Sequence, residues 1–485
     1  MQSQFNSSDY ERRHRLFRQE NIWKARRNFY EYCQLMAPDF YLPHRWHLKK
    51  LCDTLQALYE GKLLRADRYV FRKLMINMPP RLGKSRTAIL FSTWILGDSP
   101  ENRIISCSYN DETATDFSKY TRDGITEKKT YPYEIDYADI FPKSRIKRGD
   151  SAKKQWALEG QFFNYKGAGI GGSITSKGCN VALIDDTVKS AEEAYNEMLL
   201  DKKNAWYTGT FLTRKEKHAI EIVVMTRWAL KDTCGFILNR DGADEWYVLS
   251  MPAIFEDGTL LCEDLLDADR IKELERDMDP QIYRANFLQD PINIKGRLYN
   301  EFETYEAIPK DALFTLAYFD PADEGTNYLA GFIGKIKETK AWMTDYVYDK
   351  AGMEVTEEVV ARKIHDNKCD LVFIEANAGG AGFARNIGRL LKENHKWTDE
   401  KIKLVVRKLH QKENKMARIL SRAFYLNKEI SFPSGWETKW KNIHDAVMNF
   451  QREAKNNLDD APDALTGFYE RMEKLNEFKL VSFQK

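Results

Sequence analysis

The stretch "NMPPRLGKSRTAIL", Asn77 to Leu90, decides how the first half of this chain is read. It ends like a phosphate-binding loop, with Gly83-Lys84-Ser85, but Met78 stands where the pattern G-x-x-x-x-G-K-[ST] places its first glycine. The flanks supply the missing context. "KLMINM" (Lys73 to Met78) is a short apolar run that leads into Pro79-Pro80, and "SRTAILFSTWIL" (Ser85 to Leu96) is apolar at helical spacing. The loop therefore joins a strand to a helix. A helix N-terminus turns unpaired N–H groups and the positive end of its dipole toward phosphate. Lys84 is placed to reach the β and γ oxygens and the Ser85 hydroxyl to sit on Mg²⁺. Met78 and the two prolines stiffen the loop entry where glycine would allow a tight turn, and Arg81 adds a second cation inside the loop.

About a hundred residues on, "NVALIDDTVKS" (Asn180 to Ser190) runs from four apolar residues into two carboxylates. It reads as a buried parallel strand whose C-terminal end delivers Asp185 and Asp186 to a cleft. In an ATPase the first would hold Mg²⁺ through water and the second would orient the attacking water. "AIEIVVMTRW" (Ala219 to Trp228) is another buried strand, and its polar tip, Thr226-Arg227, suits a group that senses the γ-phosphate. A strand running into a polar turn is common. The motifs together, in order and at domain-sized spacing, favour a nucleotide site.

Between Glu256 and Tyr305 the pattern changes to a charged helical stretch, "DRIKELERDMDPQIYRANFLQDP", followed by "INIKGRLYNEF". Pro291 and Gly296 mark a hinge or linker. Then "FTLAYFDPAD", "YLAGFIGKI" and "KAWMTDYVYD" read as three antiparallel strands. A helix, the strand "DLVFIEANAG", another helix, the strand "KLVVRKLH" and closing helices follow. That is the order of an RNase H-like domain. Asp320 ends the first of these strands and Glu375 the fourth, while "NNLDDAPDALTGFYE" puts Asp459, Asp460 and Asp463 at the start of a closing helix. Carboxylates from such positions converge on one sheet edge. Two Mg²⁺ or Mn²⁺ ions about 4 Å apart would offset their charge and activate water.

The 485 residues exceed what one core usually organises, and 43% apolar content can fill two. With 31% charged residues, a mean hydropathy of -0.59 and no apolar run of about 18 residues, no membrane span is expected. The first twenty residues lack an apolar core for a secretory signal, so a soluble intracellular chain is expected. Seven cysteines without a C-x-x-C pair suggest buried thiols rather than disulfides or zinc ligands. The net charge of +2 announces no polyanion partner, but Arg12–Arg27 and Lys143–Lys154 are basic runs fit either for a phosphate backbone or for a solvated face.

In this order and spacing, "MPPRLGKS", "GGSITSKGCNVALIDD" and "MTRW" resemble the large terminase subunit of tailed bacteriophages, the motor that packages DNA. In that family the phosphate loop commonly lacks its first glycine and carries an arginine. The resemblance implies an ATP site with Mg²⁺ in which Pro80, Arg81, Leu82, Gly83, Lys84 and Ser85 hold the nucleotide. Asp185 and Asp186 become the second motif, and "MTRW", with Thr226, the coupling motif. It also implies that the region near "LPHRWHLKKL" contacts adenine, where the residues themselves read as an amphipathic helix around His47. The catalytic carboxylate stays open between Asp186 and Glu192 or Glu193, and the activating cation between Arg81 in cis and Lys177 in trans. The family joins its motor to an RNase H-like nuclease. Asp320 and Glu375 carry over, and the third metal ligand lies among Asp459, Asp460 and Asp463, of which Asp460 and Asp463 are taken together.

The expected chain is α/β: a helical N-terminal segment, lid or subunit contact (1–40), a P-loop ATPase domain of the ASCE type with a mostly parallel sheet (41–255), a linker (256–305), an RNase H-like nuclease domain with a mixed sheet (306–473) and a tail (474–485). The expected function is a genome-packaging motor that translocates double-stranded DNA and cuts it. The resemblance further implies a homo-oligomeric ring of five on the portal of a procapsid, a small terminase subunit as partner, no membrane, and the host cell cytoplasm as location. A monomer in solution stays open. Two other readings share the chemistry: a cellular ATP-dependent nuclease or helicase of DNA repair, and a scaffold with an ATP switch and no catalysis.

Overall fold

The computed structural model describes residues 7–131, 134–149, 152–292, 296–311, 314–322, 327–377, 379–453, 456 and 458–482, with side chains described within 13–475. Of the expected N-terminal segment and tail, residues 1–6 and 483–485 lie outside the described residues. The chain divides into two compact units, residues 1–293 and 294–485.

The first unit is built on seven strands: β1 (Lys73–Asn77), β2 (Ile104–Ser108), β3 (Gln155–Trp156), β4 (Tyr165–Gly169), β5 (Cys179–Asp185), β6 (Lys215–Met225) and β7 (Trp246–Ser250), in the order β3-β4-β2-β5-β6-β1-β7. Only the β3/β4 pair is antiparallel. Both faces are covered, which is why these strands read as unbroken apolar runs rather than alternating ones. Along β6, Ile220, Ile222 and Val224 face one core, shared with the helices Trp46–Tyr59 and Lys84–Asp98. Val223 and Met225 face the other. The strand order inserts β6 between β1 and β5, with Asn77 beside Met225 and Asp185 beside Val224. The C-terminal ends of all three strands thus meet at one sheet edge.

Part of the stretch 256–305, expected as a linker, packs into the first unit. Helices Ala268–Asp277 and Pro280–Leu288 bury Ile271, Tyr283 and Phe287 against Ala253. A narrow apolar stripe within a charged segment does this, and composition alone conceals it.

The second unit has β8 (Glu303–Tyr305), β9 (Phe314–Asp320), β10 (Leu329–Lys337), β11 (Lys340–Asp349), β12 (Leu371–Glu375), β13 (Val406–Leu409) and β14 (Ile430–Pro433), in the order β13-β12-β9-β10-β11-β14-β8. The β9-β10-β11 meander is antiparallel and the outer pairs are parallel, the mixed sheet expected. "KLVVRKLH" is not one strand. Thr398 caps a helix, Asp399–Val405, that takes its first half and leaves β13 only four residues. The helix Asp460–Ser482 presses on the sheet so closely that a Cβ on Gly467 would lie 2.3 Å from the Tyr318 ring. All seven cysteines are buried and free, and no helix among the described residues is long and apolar enough to cross a membrane.

Candidate functional site

Each sheet gathers polar groups at the ends of its strands. In the first unit the loop after β1 turns through Arg81 (φ 65°) and Gly83 (φ 92°), and Lys84 opens the helix Lys84–Asp98. Gly83 is needed for space as well as for its dihedral: a Cβ there would lie 2.7 Å from Phe40 and 2.9 Å from Leu48. Met78 needs neither freedom. Its φ is not positive, and its side chain is fully buried in the core together with Leu82. Pro80 is half-buried and Arg81 exposed at the loop surface.

Lys84 is buried, donates to Thr226 Oγ1 (2.7 Å) and lies 3.3 Å from Asp186 Oδ2. Ser85 donates to Asp185 Oδ1 at 2.9 Å. The Thr226 N–H holds the other oxygen of Asp186 at 2.8 Å, because β6 stands between β1 and β5. Asp186 itself has a φ of 47°, and its N–H is tied to the Val224 carbonyl. Burial, and then the Asp186 charge, push the Asp185 carboxyl up to about 7, against the pull of Lys84 and Ser85. The pocket is thus short of positive charge, and a hydroxyl and a carboxylate are the oxygen donors Mg²⁺ takes. Next to Thr226, Arg227 is buried and paired with the fully buried Asp232, and its N–H donates to Gln289 at the end of the helix Pro280–Leu288. The tip of β6 therefore connects the loop lysine to the last helix of the unit.

In the second unit Asp320 ends β9, Glu375 ends β12, and Asp463 lies in the first turn of the helix Asp460–Ser482. A carboxylate oxygen from each lies within 4.8 Å of the others. Burial, then Glu375 and Asp463, raise the Asp320 carboxyl well above its usual range. Burial raises Asp463 to about 6, with Arg418 and Lys415 opposing. Three crowded carboxylates of this kind fit divalent cations. Glu375 is fixed by the Tyr318 hydroxyl and the Asn377 amide, both at 2.9 Å. Asp459 and Asp460 stand outside the three. Asp460 accepts from the Tyr328 N–H (2.9 Å), and Lys415 bridges Asp459 (2.7 Å), Asp460 (3.3 Å) and Asp463 (3.5 Å).

The first of these sites falls within a span that matches a known family. Residues 75–304 match the family described as "Terminase large subunit, T4likevirus-type, N-terminal". Over this span the chain belongs to the large terminase family. No curated protein matches the chain in sequence. Among solved structures, the large terminase of a thermophilic bacteriophage in complex with ADP is similar at 11% identity, with 86% of this chain and 97% of that one covered and a TM-score of 0.49. The large terminase of bacteriophage HK97 is 11% identical, with 88% and 94% covered and a TM-score of 0.34. The nuclease domain of the bacteriophage SPP1 large terminase, with bound Mn, is 14% identical, covers 36% of this chain and 97% of its own, and has a TM-score of 0.25.

Several residues left open in the sequence are placed by the geometry. Glu193 accepts from the buried Lys203 at 2.5 Å and from the Lys189 N–H, so its carboxylate is engaged away from Lys84. Glu192 stands beside it in the helix Ala191–Tyr195. Lys177 precedes β5 and lies over Phe162 (4.4 Å), at the sheet edge opposite the phosphate loop. It cannot reach its own chain's loop. His47 is fully buried, its Nε2 3.3 Å from the Leu82 carbonyl, and burial lowers it to about 4. The helix around it is amphipathic, with one face against the loop. Lys415, Tyr318, Asn377 and Arg418 went unread in the sequence. Only their proximity to the acids marks them, and no local pattern does.

Proposed function

We propose that this terminase is the DNA-packaging motor of a tailed phage, with an ATPase in the first unit and a metal-dependent endonuclease in the second. The observation that carries the reading is the presence, on one terminase chain, of a phosphate loop whose lysine contacts strand-tip Thr226 and Asp186, and of three carboxylates within 4.8 Å in the other unit. Lys84 and the loop N–H groups receive the β and γ phosphates, with Pro80 to Ser85 wrapped around them. Ser85 and Asp185 would hold Mg²⁺, which would offset the charge of the phosphate oxygens. Asp186, held by Thr226 and Lys84, orients the attacking water, a role that Glu193 is less suited to while paired with Lys203. Arg81, exposed in the loop, is the cis cation. Lys177 is left for a neighbouring copy. Thr226 and Arg227 carry the loss of the γ-phosphate to Gln289.

In the nuclease, Asp320, Glu375 and Asp463 would hold the metal, with Asp459 and Asp460 beside them. Bound Mg²⁺ or Mn²⁺ supplies Lewis acidity and lowers the pKa of water. Tyr318 and Asn377 orient Glu375, and Lys415 balances the acids of the closing helix. The substrate is double-stranded DNA gripped through its phosphates, so affinity falls steeply with salt. The working state is a ring of five on the portal of a procapsid, served by a small terminase subunit, in the host cytoplasm. Plasmid cleavage in Mg²⁺ or Mn²⁺ tests the reading. Wild type cuts, and Asp320→Ala and Glu375→Ala do not. A folded wild type that hydrolyses ATP and never cuts, even with its partners present, sinks the nuclease.

A further inference from the structure

We propose that a cavity beside the carboxylate cluster is a nucleobase pocket, which receives one unpaired base of the DNA strand whose neighbouring phosphate lies at Asp320, Glu375 and Asp463. This rests on the nuclease reading and adds a substrate preference to it. The cavity has a volume of about 470 Å³, the size of a small-ligand site. Its walls include Tyr328, Tyr348, Phe450 and Leu458, and its rim Asn442 and Asn449. Tyr328 and Tyr348 stack with ring centroids 4.1 Å apart, and the Lys350 ammonium lies 4.6 Å from the Tyr328 ring. With Tyr348 on one face of Tyr328 and Lys350 over the ring, a base would stack on Tyr328 by displacing the ammonium, which would then pair its phosphate, the aromatic and cationic combination that holds single-stranded nucleic acid.

Two observations point to a ligand rather than to packing. The Tyr348 side chain is 9% exposed, yet its buried hydroxyl has no hydrogen-bond partner among the described residues. A base edge offers the partner it lacks, since a buried polar group without one is costly. The register also fixes the pocket next to the metal site. Ala330 pairs with Asp320 on one side and with Tyr348 on the other, so the three stand in one row on one face of the sheet. Two strand spacings, about 10 Å, separate the carboxylate from the tyrosine. Ala330, the fully buried residue between them, is the smallest of the row. The Tyr328 N–H, held by Asp460, fixes the platform to the acidic helix. A stacked base must leave its duplex at a cost of a few base-stacking interactions, so frayed, mismatched or single-stranded DNA is the preferred substrate.

The test is binding without cutting. The full chain in EDTA is titrated with a single-stranded oligonucleotide that carries 2-aminopurine, and with the same strand made abasic at that position. Wild type is expected to quench the fluorescence and to bind the abasic strand about tenfold more weakly. Tyr328→Ala should lose both the quenching and the discrimination. Tyr348→Phe, which removes only the hydroxyl, should weaken the base-bearing strand a few-fold and leave the melting temperature within a few degrees of wild type. Equal quenching and equal affinities in wild type and both variants would overturn the pocket. A wild type that cuts plasmid under those circumstances keeps its nuclease and loses only this site. Tyrosine-dependent quenching by a protein that never cuts keeps the pocket and removes the nuclease.

Discussion

Met78 accounts for the missing glycine of the loop. The positive dihedrals fall at Arg81 and Gly83, so glycine's freedom is not needed at the first position, and the space there is filled with core. Restoring the family-independent pattern should therefore do harm. Met78→Gly deletes a fully buried side chain and is expected to cost about 3 kcal/mol or more in urea unfolding, without tighter ATP binding. An unchanged midpoint would show that the loop, not the core, determines residue 78. A second buried residue beneath the same loop makes a pH prediction. Burial lowers His47 to about 4, below its value of about 6.5 in an unfolded chain. Between those values the unfolded state binds more protons, so stability falls as pH drops from about 6.5 to 4. The lost contribution approaches about 3 kcal/mol at full titration. His47→Asn should flatten this part of the wild-type stability curve. The raised Asp185 slopes the opposite way in both proteins, so the difference between the curves isolates the histidine.

At the scale of elements, the carboxylate cluster of the second unit depends on a pair of helices that hold each other by charge. Arg418, 2% exposed on the helix Lys415–Glu429, makes two 3.0 Å bonds to Glu470 and one of 3.0 Å to Asp463 on the helix Asp460–Ser482. Glu470→Ala removes two of the three bonds to a buried guanidinium and leaves Asp463 alone to balance it, so it should destabilise the protein by about 3 kcal/mol. Replacing both, as Arg418→Met with Glu470→Leu, should recover much of that loss in the same denaturation experiment. A double variant as unstable as the single one would point to packing, not charge. This brace was invisible in the sequence, because its members lie 52 residues apart with no periodic pattern. The buried strands were legible for the opposite reason. β1, β5, β6 and β9 to β12 are apolar runs closed by turns or carboxylates, a signal local to each run. β8 and β14 have only three and four residues and left no such signal. Strand-tip acids were likewise readable as candidates. Which acid of the closing helix joins Asp320 and Glu375 was not, since helical phase places Asp460 and Asp463 on one face. The tie from Tyr328 separates them only in three dimensions.

At the scale of the whole molecule, each unit contains every contact of its own site. The Lys84, Thr226, Asp186, Ser85 and Asp185 contacts lie within residues 1–293, and the Asp320, Glu375 and Asp463 cluster within 294–485. The two chemistries should accordingly separate by mutation. Lys84→Ala removes a buried cation from the phosphates and should lower ATP hydrolysis at least about 100-fold while metal-dependent cutting of plasmid persists. Asp320→Ala removes a metal ligand and should lower cutting by a similar factor while ATP hydrolysis persists. Stability supplies the control. Without metal, Asp320 is a half-buried carboxylate crowded by two others, so its removal relieves repulsion and the variant should melt no lower than wild type in EDTA. With Mn²⁺ the wild type should gain in melting temperature and the variant should gain less, since a ligand stabilises only the state that binds it. Loss of both activities in a variant that melts like wild type would mean that the two sites are obligatorily coupled, and that this chain cuts only when its motor turns over.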